Sequence, residues 1–256
     1  NVIAAFSLNI LGGSSFMWNV KHNVIHHAYT NVDGMDDDID IQPWMRMSTT
    51  QKKYKMHKYQ HLYFWFLYSL LYILWIFVLD YSKYFTSRIG ATPLKKMNFW
   101  DHVSFWGFKM LNLFLYVGLP IYMVGFMPWL IGFIIFTTFA GFVLSIVFQL
   151  AHTVEHTSFP MPDPASNKLE DEWAIHQLKT TANFATDNKV VCWLVGGLNF
   201  QVEHHLFPKI SHVHYPAISK IVRKICDEYG IPYIEYAKTR YAIASHVTFL
   251  KEMGRA

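Results

Sequence analysis

The hydrophobic residues of the chain are gathered into long, nearly uninterrupted runs, unlike the periodic stripe of a soluble amphipathic helix. Residues 103–126 and 129–151 are each long enough to cross a bilayer, which takes about 20 apolar residues. Only the short uncharged turn Met127–Pro128 separates the two runs. The pattern therefore predicts a helical hairpin in the membrane.

The basic residues around this hairpin predict its orientation. Its connecting tip has no Lys or Arg, whereas Lys95, Lys96 and Lys109 lie on the entry side. Because basic residues favour the cytoplasmic side, we expect both ends of the hairpin to face the cytoplasm. The chain is thus predicted to be a multi-pass integral membrane protein with its active site on the cytoplasmic side.

A third apolar run, residues 62–79, is flanked by basic residues on both sides. If histidines near residues 22–27 and 152–156 meet at one site, an even number of crossings must separate them. We therefore expect residues 62–79 to lie on the membrane or re-enter it, and a plain third crossing is the alternative. Residues 2–20 contain several polar side chains, which favours an interfacial segment.

After residue 151 the chain is mostly polar. Helices are predicted over residues 170–181 and 218–229, the second ended by Gly230 and Pro232. The apolar residues 190–198 are too short to span a membrane. The predicted fold is an all-α integral membrane protein with a membrane hairpin, interfacial helices and a cytosolic helical cap, forming a single domain over residues 1–256.

Composition supports this class of protein. Of 256 residues, 52% are hydrophobic and 16% charged, whereas soluble domains carry about 25% charged residues. The net charge of +4 is scattered, which excludes nucleic acid as a partner. The two cysteines form no CxxC pair, so neither a disulfide framework nor a cysteine-ligated zinc site is indicated.

The 14 histidines are clustered, and the first cluster is His22, His26 and His27. On a helix, His22 and His26 lie on one face a turn apart, with His27 beside them. Two imidazoles in this arrangement can bind one metal ion while the third leans towards a neighbouring ion. The alternative is the end of a surface helix.

The second cluster, His152 and His156, follows the second apolar run, and its four-residue spacing again predicts two imidazoles on one helix face. Histidines at the end of a spanning helix are costly unless they are functional or face water. We prefer His156 as a ligand, because His152 can equally be a satisfied helix-end residue.

The third cluster is Gln201, His204 and His205, whose three- and four-residue spacing lets all three side chains converge. The histidine supply exceeds what one tetrahedral zinc ion could use, so two metal ions fit the number of ligands best. Imidazole itself suits iron, zinc, copper and nickel.

Acidic side chains near these clusters are candidates to orient the imidazoles through hydrogen bonds. Glu155 and Glu203 each adjoin a cluster histidine, and Asp36 and Asp38 belong to an acidic run after the first cluster. For that acidic run, a solvated loop with capping aspartates is an equal alternative.

Three stretches resemble the membrane fatty acid desaturases: HNVIHHAYTNV at residues 22–32, residues 34–39, and GGLNFQVEHHLFP at residues 196–208. Gln201, in place of the first histidine of the last box, is similar to the front-end and linoleoyl-CoA-type desaturases. The resemblance runs along essentially the whole chain.

The resemblance implies a di-iron centre that uses O2 and two electrons to insert a cis double bond into an acyl chain. It implies acyl-CoA or acyl-lipid as substrate, membrane lipid as surroundings, and a b-type cytochrome or ferredoxin as external electron donor. It also implies metal ligands, which match as follows: His22, His26 and His27 to the second box, Gln201, His204 and His205 to the third, and His156 to an additional ligand, with His152 as a further candidate.

The family's earlier HxxxH box has no counterpart before His22. We therefore expect an N-terminally incomplete desaturase domain that lacks its first hairpin, and we expect the fragment alone to be inactive. Three alternatives remain open: a lipid hydroxylase or sphingolipid desaturase of the same superfamily, a membrane zinc hydrolase acting on lipid amides, and a degenerate non-catalytic membrane protein.

Overall fold

Helices account for most of the regular structure in this computed structural model, which describes residues 2–256. In chain order the α-helices are α1 (Val2–Ile10), α2 (Ser15–Trp18), α3 (His27–Tyr29), α4 (Gln60–Ser69), α5 (Leu71–Leu74), α6 (Asp80–Thr86), α7 (Phe99–Leu113), α8 (Leu119–Val124), α9 (Phe126–His152), α10 (Trp173–Thr180), α11 (Lys189–Leu194), α12 (Gln201–Leu206), α13 (Tyr215–Tyr229) and α14 (Thr239–Met253).

Shorter elements connect the α-helices. Wider π-helical turns are formed by Asn19–His26, Trp75–Leu79 and Phe114–Gly118, and 3-10 turns by Lys55–Tyr59 and His212–His214. The strands are β1 (Arg88–Ile89), β2 (Thr92–Pro93), β3 (Ala182–Phe184) and β4 (Ile234–Tyr236). Strands β1 and β2 pair antiparallel, whereas β3 and β4 pair parallel.

The chain packs as two units. The first contains the chain up to Val24 together with Trp65–Ser145, and the second contains Ile25–Phe64 and Ile146–Ala256. The organisation of residues 1–256 as a single functional domain stays a prediction.

Two helical segments among the described residues are long and apolar enough to cross a membrane, Phe99–Val124 and Phe126–His152. They contain nearly all of the two apolar runs from which spanning helices were predicted. The connection differs from the expected one, because the backbone breaks at Gly125 (φ +86°) and Met127 and Pro128 lie in the first turn of α9. Proline is tolerated there, since the first helical N–H groups have no partner within the helix.

The third apolar run is not straight. Lys55–Ser69 and Leu71–Thr86 form a helix pair bent by 57°, which by its shape is a broken span or a re-entrant loop. A bend of this kind is compatible with the predicted re-entry. Counting the bent pair as one span would raise the number of candidate crossings in residues 2–256 to three.

A buried ion pair lies within the first unit. Lys109 Nζ is 2.8 Å from Asp80 Oδ2 and also donates to the carbonyl oxygens of Gly12 (2.6 Å) and Ile76 (3.0 Å). Asp80 Oδ2 in turn accepts the backbone N–H of Ser14 at 2.8 Å. The sequence pattern places Lys109 among the charges that mark the cytoplasmic side. Because its ammonium group is buried in this ion pair, it does not provide that topology signal.

Replacing Lys109 by methionine is expected to destabilise the protein strongly. The change leaves the Asp80 carboxylate buried without its cation, and breaking a buried pair from one side costs about 3–5 kcal/mol. Thermal unfolding of the detergent-solubilised protein measures the loss. The double variant K109M/D80N, which removes both charges, should recover part of the lost stability. Equal stability of K109M and the parent protein would contradict this expectation.

The core of the second unit lies around the last turns of α9 and around α13. Leu150 packs with Phe184, Ala185 and Ala242, and Cys226 of α13 packs with Leu178, Val202 and Val222. Helix α13 contains the predicted residues 218–229 and ends at Gly230 in the left-handed conformation, as its sequence indicates. Helix α10 is shorter than the predicted residues 170–181.

Candidate metal centre

His26 and His27 lie where the π-helical turn Asn19–His26 meets α3, and both side chains are buried. His26 Nδ1 is 3.1 and 3.0 Å from the two carboxylate oxygens of Asp36, and 3.4 Å from Asp38 Oδ2. A carboxylate accepts the Nδ1 proton, which fixes the ring and directs the Nε2 lone pair away from the carboxylate. Metal-ligating histidines have this arrangement.

His152 is the last residue of α9, and its Nδ1 is 3.2 Å from the carbonyl oxygen of Thr180. The helix ends here because the His152 carbonyl, which would accept the N–H of His156 in a continued helix, instead accepts from Thr157 Oγ1 (2.7 Å) and Asn31 Nδ2 (2.8 Å). The expected shared helix face of His152 and His156 is therefore wrong.

The structure places the two histidines of this cluster differently. His152 is buried beside the other imidazoles, whereas His156 and Glu155 are solvent-exposed in the turn that follows α9. The sequence favoured His156 over His152 as a ligand, and the geometry favours the opposite order.

His205 is completely buried in α12, and its Nδ1 is 2.8 Å from Gln177 Oε1. Its Nε2 is buried and has no hydrogen-bond partner among the described residues. One nitrogen each of His26, His152 and His205 lies within 4.8 Å of the others. Metal–nitrogen bonds are about 2.1 Å long, so nitrogens that share one ion lie at most about 4.2 Å apart. A small movement of the rings would thus bring the three to one ion.

Two further histidines adjoin this triad, which we define as His26, His152 and His205. The His27 ring stacks on His205 at 4.3 Å between centroids, and its centroid is 4.8 Å from that of His204. His26 and His27 of the first cluster therefore meet His204 and His205 of the third, almost 180 residues away in sequence, within the second unit.

Burial and mutual repulsion keep these imidazoles neutral. Burial is the main cause that lowers the pKa of His27 to about 3, and the charge of nearby His204 lowers it further. Burial also lowers the pKa of His204 to about 4, with a smaller contribution from the charge of His26. Burial, followed by the charge of His152, holds the pKa of His205 well below its usual range. Neutral imidazole is the form that binds metals, so the cluster is competent to bind a metal at neutral pH.

Gln177 and Thr30 connect two members of the triad. Gln177 Oε1, which accepts from His205 Nδ1, is 3.0 Å from Thr30 Oγ1, and this hydroxyl is 2.7 Å from the carbonyl oxygen of His26. Both side chains are completely buried. Sequence reasoning missed both residues, because Gln177 lies in an unremarkable helix and its contact with Thr30 spans 147 residues.

The remaining predicted site residues lie as follows. Glu203 is buried, but its carboxylate accepts from Asn183 Nδ2 (2.8 Å) and Tyr233 Oη (2.9 Å). Neither of these donors is an imidazole, so the expected role of Glu203 in orienting a histidine stays a prediction. Gln201 is buried at the start of α12.

His22 lies in the first unit, where its ring stacks on that of Trp18 with 4.5 Å between the ring centroids. Ligand roles for Gln201 and His22 stay predictions.

The architecture and the site together define a helical protein with membrane-spanning candidates and a buried, neutral cluster of histidines suited to a metal. The chain belongs to the fatty acid desaturase family, whose sequence profile matches residues 1–237. It is therefore an oxidoreductase that acts on fatty acyl lipids, which confirms the resemblance noted in the sequence.

Curated relatives agree with this family. The chain is 38% identical to the sn-1 linoleoyl-lipid 6-desaturase of Synechocystis, over 100% of this chain and 72% of that protein. It is 35% identical to the enzyme of the same name from Arthrospira platensis, over 99% and 69%. It is 39% identical to the acyl-lipid (8-3)-desaturase of Physcomitrium patens, over 98% of this chain but only 53% of that protein. No solved structure matches the chain significantly.

Proposed function

We propose that the protein is a front-end acyl-lipid desaturase that inserts a cis double bond into an acyl chain, uses O2, and holds two iron ions in its histidine cluster. The observation that carries this proposal is the buried triad His26, His152 and His205, in which each Nδ1 faces a hydrogen-bond acceptor. The names of the relatives, which are acyl-lipid and linoleoyl-lipid desaturases, support a lipid-linked acyl chain as substrate.

The residues present fit iron. Imidazole nitrogen is a suitable ligand for this metal, and the buried Nε2 of His205 has a lone pair that no donor in the described chain satisfies. The triad would hold one ion, while His27 and His204 offer nitrogens for a second, with His22, Gln201 and His156 as further predicted ligands. When bound, the iron pair supplies the oxidation of the acyl chain by O2.

The protein itself orients the imidazoles and excludes water from the site. Asp36, the Thr180 carbonyl and Gln177 each fix one imidazole in the tautomer that presents Nε2. Burial of the triad keeps bulk water away, so an oxidising site is shielded from side reactions. No acid–base residue needs to be assigned beyond these positioning groups.

The membrane arrangement belongs to the same proposal. Phe99–Val124 and Phe126–His152 cross the bilayer as a pair, and the bent helices re-enter it from one side. Both ends of the pair then lie on the cytoplasmic side, where a b-type cytochrome or a ferredoxin can deliver electrons.

Fatty acid analysis tests the reaction. The full-length protein is expressed in a host that supplies linoleoyl lipids, and the total acyl chains are analysed by mass spectrometry with location of the double bonds. We expect a new double bond between the carboxyl group and the existing unsaturation, formed only with O2. A hydroxylated product would indicate the lipid hydroxylase, and O2-independent release of fatty acid with zinc bound would indicate the hydrolase. Either result would overturn the proposal.

A further inference from the structure

The short helix α11 presents an apolar face that the protein leaves uncovered. Val190, Trp193 and Leu194 follow the three- and four-residue spacing of one helix face, and these residues are 65%, 80% and 68% exposed in the described part of the chain. We define these three residues as the α11 patch. Exposed clusters of large apolar side chains mark contact with a partner or a membrane.

The opposite face of α11 packs on the core of the second unit, which indicates the part of α9 that lies at the same depth in the membrane as α11. Val191 packs against the core cluster that contains Leu150, as does Ile146 of α9. Helix α11 therefore packs on the same core cluster as the last turns of α9, and all of these residues belong to the second unit.

Those last turns correspond to the edge of the hydrocarbon layer. Helix α9 has 27 residues, and at 1.5 Å per residue it is about 40 Å long. The hydrocarbon core is about 30 Å thick, so a centred helix extends about 5 Å, or three residues, beyond each side. Residues 146–150 then lie where acyl chains give way to headgroups.

The residue types of α11 are those expected at the boundary between acyl chains and headgroups. Tryptophan is enriched at membrane interfaces because its ring is apolar and its N–H is polar. Lys189, which starts the helix, is exposed and can reach lipid phosphates. The turn that follows α11 adjoins the segment around His212, since a Cβ placed on Gly197 would lie 2.7 Å from His212 Cβ. That segment adds an exposed apolar residue, Val213, and the exposed base Lys209.

We propose that the α11 patch inserts into the lipid interface and anchors the second unit to the bilayer surface. Helix α11 leads directly to α12, which carries His204 and His205. The anchor therefore holds the third histidine cluster beside the layer from which a lipid-linked acyl chain must come. This inference rests on the proposed membrane crossing of α9 and deepens the proposed function.

Site-directed spin labelling of the full-length protein tests the anchor. In a background that replaces Cys192 and Cys226 by alanine, a nitroxide is attached at Leu194→Cys and the protein is reconstituted into phosphatidylcholine–phosphatidylglycerol vesicles. Power saturation compares collision with O2, which concentrates in lipid, and with a water-soluble nickel chelate. We expect O2 to relax the Leu194 label more strongly than the chelate does.

Two matched labels make the result decisive. Lys168→Cys, in an exposed polar loop, should be relaxed mainly by the chelate, and Phe139→Cys, at the middle of α9 and 69% exposed, mainly by O2. A Leu194 label in water beside a Phe139 label in lipid would overturn the anchor but leave the spanning helix intact. A Phe139 label in water would overturn the crossing on which the anchor rests.

A second copy of the chain is the other occupant that the labels can detect. If the patch were a dimer contact, the Leu194 label would show spin–spin broadening that disappears when labelled protein is diluted with unlabelled protein. That result would overturn the anchor. Because none of these readouts requires catalysis, failure of the anchor and failure of the proposed reaction are distinguishable.

Discussion

Replacement of His152 by alanine is expected to abolish desaturation and to lower the bound iron, whereas replacement of His156 should leave both near the parent values. His152 is buried with its ring centroid 4.8 Å from that of His26 and 4.7 Å from that of His205. His156 is exposed beyond the end of α9. Loss of a hydrogen bond that only orients a ligand costs about 10- to 100-fold in affinity or activity, so loss of the ligand itself should cost more.

Iron per chain and double-bond formation are measured for the two variants at equal protein level. The pair is matched, because both remove one imidazole within five residues of sequence. A thermal unfolding curve of the H152A variant separates loss of metal from loss of fold. Iron and activity that fall in H156A but persist in H152A would contradict the assignment and restore the order that the sequence suggested.

The sequence predicted those features that depend on local pattern. The spanning candidates follow from uninterrupted apolar runs, and the end of α13 follows from Gly230, which adopts φ +65° where other residues are strained. The first and third histidine clusters are recognisable because several candidate ligands fall within six residues of sequence. The prediction that two metal ions share these clusters stays open.

Features that depend on distant contacts could not be predicted. Helix α9 ends at His152 because Asn31, 121 residues away, donates to the His152 carbonyl. In the sequence Lys109 is a charge near the start of an apolar run, but Asp80 pairs with it in the interior of the first unit. In each case the partner has no fixed spacing that a pattern could reveal.

The hydrogen-bond acceptors of the triad also include one that the sequence suggests and two that it does not. Asp36 is a candidate from the sequence because it belongs to the acidic run that follows the first histidine cluster. Gln177 and the Thr180 carbonyl were not, because a glutamine and a backbone oxygen in an ordinary helix give no signal. The sequence thus indicates which residues can bind a metal, and the tertiary structure determines which nitrogen each of them presents.

Replacement of Gln177 by leucine is expected to lower iron affinity and desaturase activity by about 10- to 100-fold, which is the usual cost of losing the hydrogen bond that orients a metal-bound histidine. Leucine has a similar size but offers no acceptor to His205 Nδ1, now 2.8 Å from Gln177 Oε1. It also deprives Thr30 Oγ1 of one of its partners. The imidazole can then rotate or adopt the other tautomer, in which Nε2 carries the proton and cannot bind a metal.

The control is Gln177→Glu, which keeps an oxygen at the same position and should keep most of the iron and activity. Iron is titrated into the metal-free protein, and the affinity is read from the iron retained after equilibration with a chelator. A purely structural role for Gln177 would lower the unfolding temperature of both variants without separating their iron affinities. If the leucine variant binds iron as tightly as the glutamate variant, then the hydrogen bond to His205 does not set the geometry of the centre. Gln177 would then only fill space between α10 and α12.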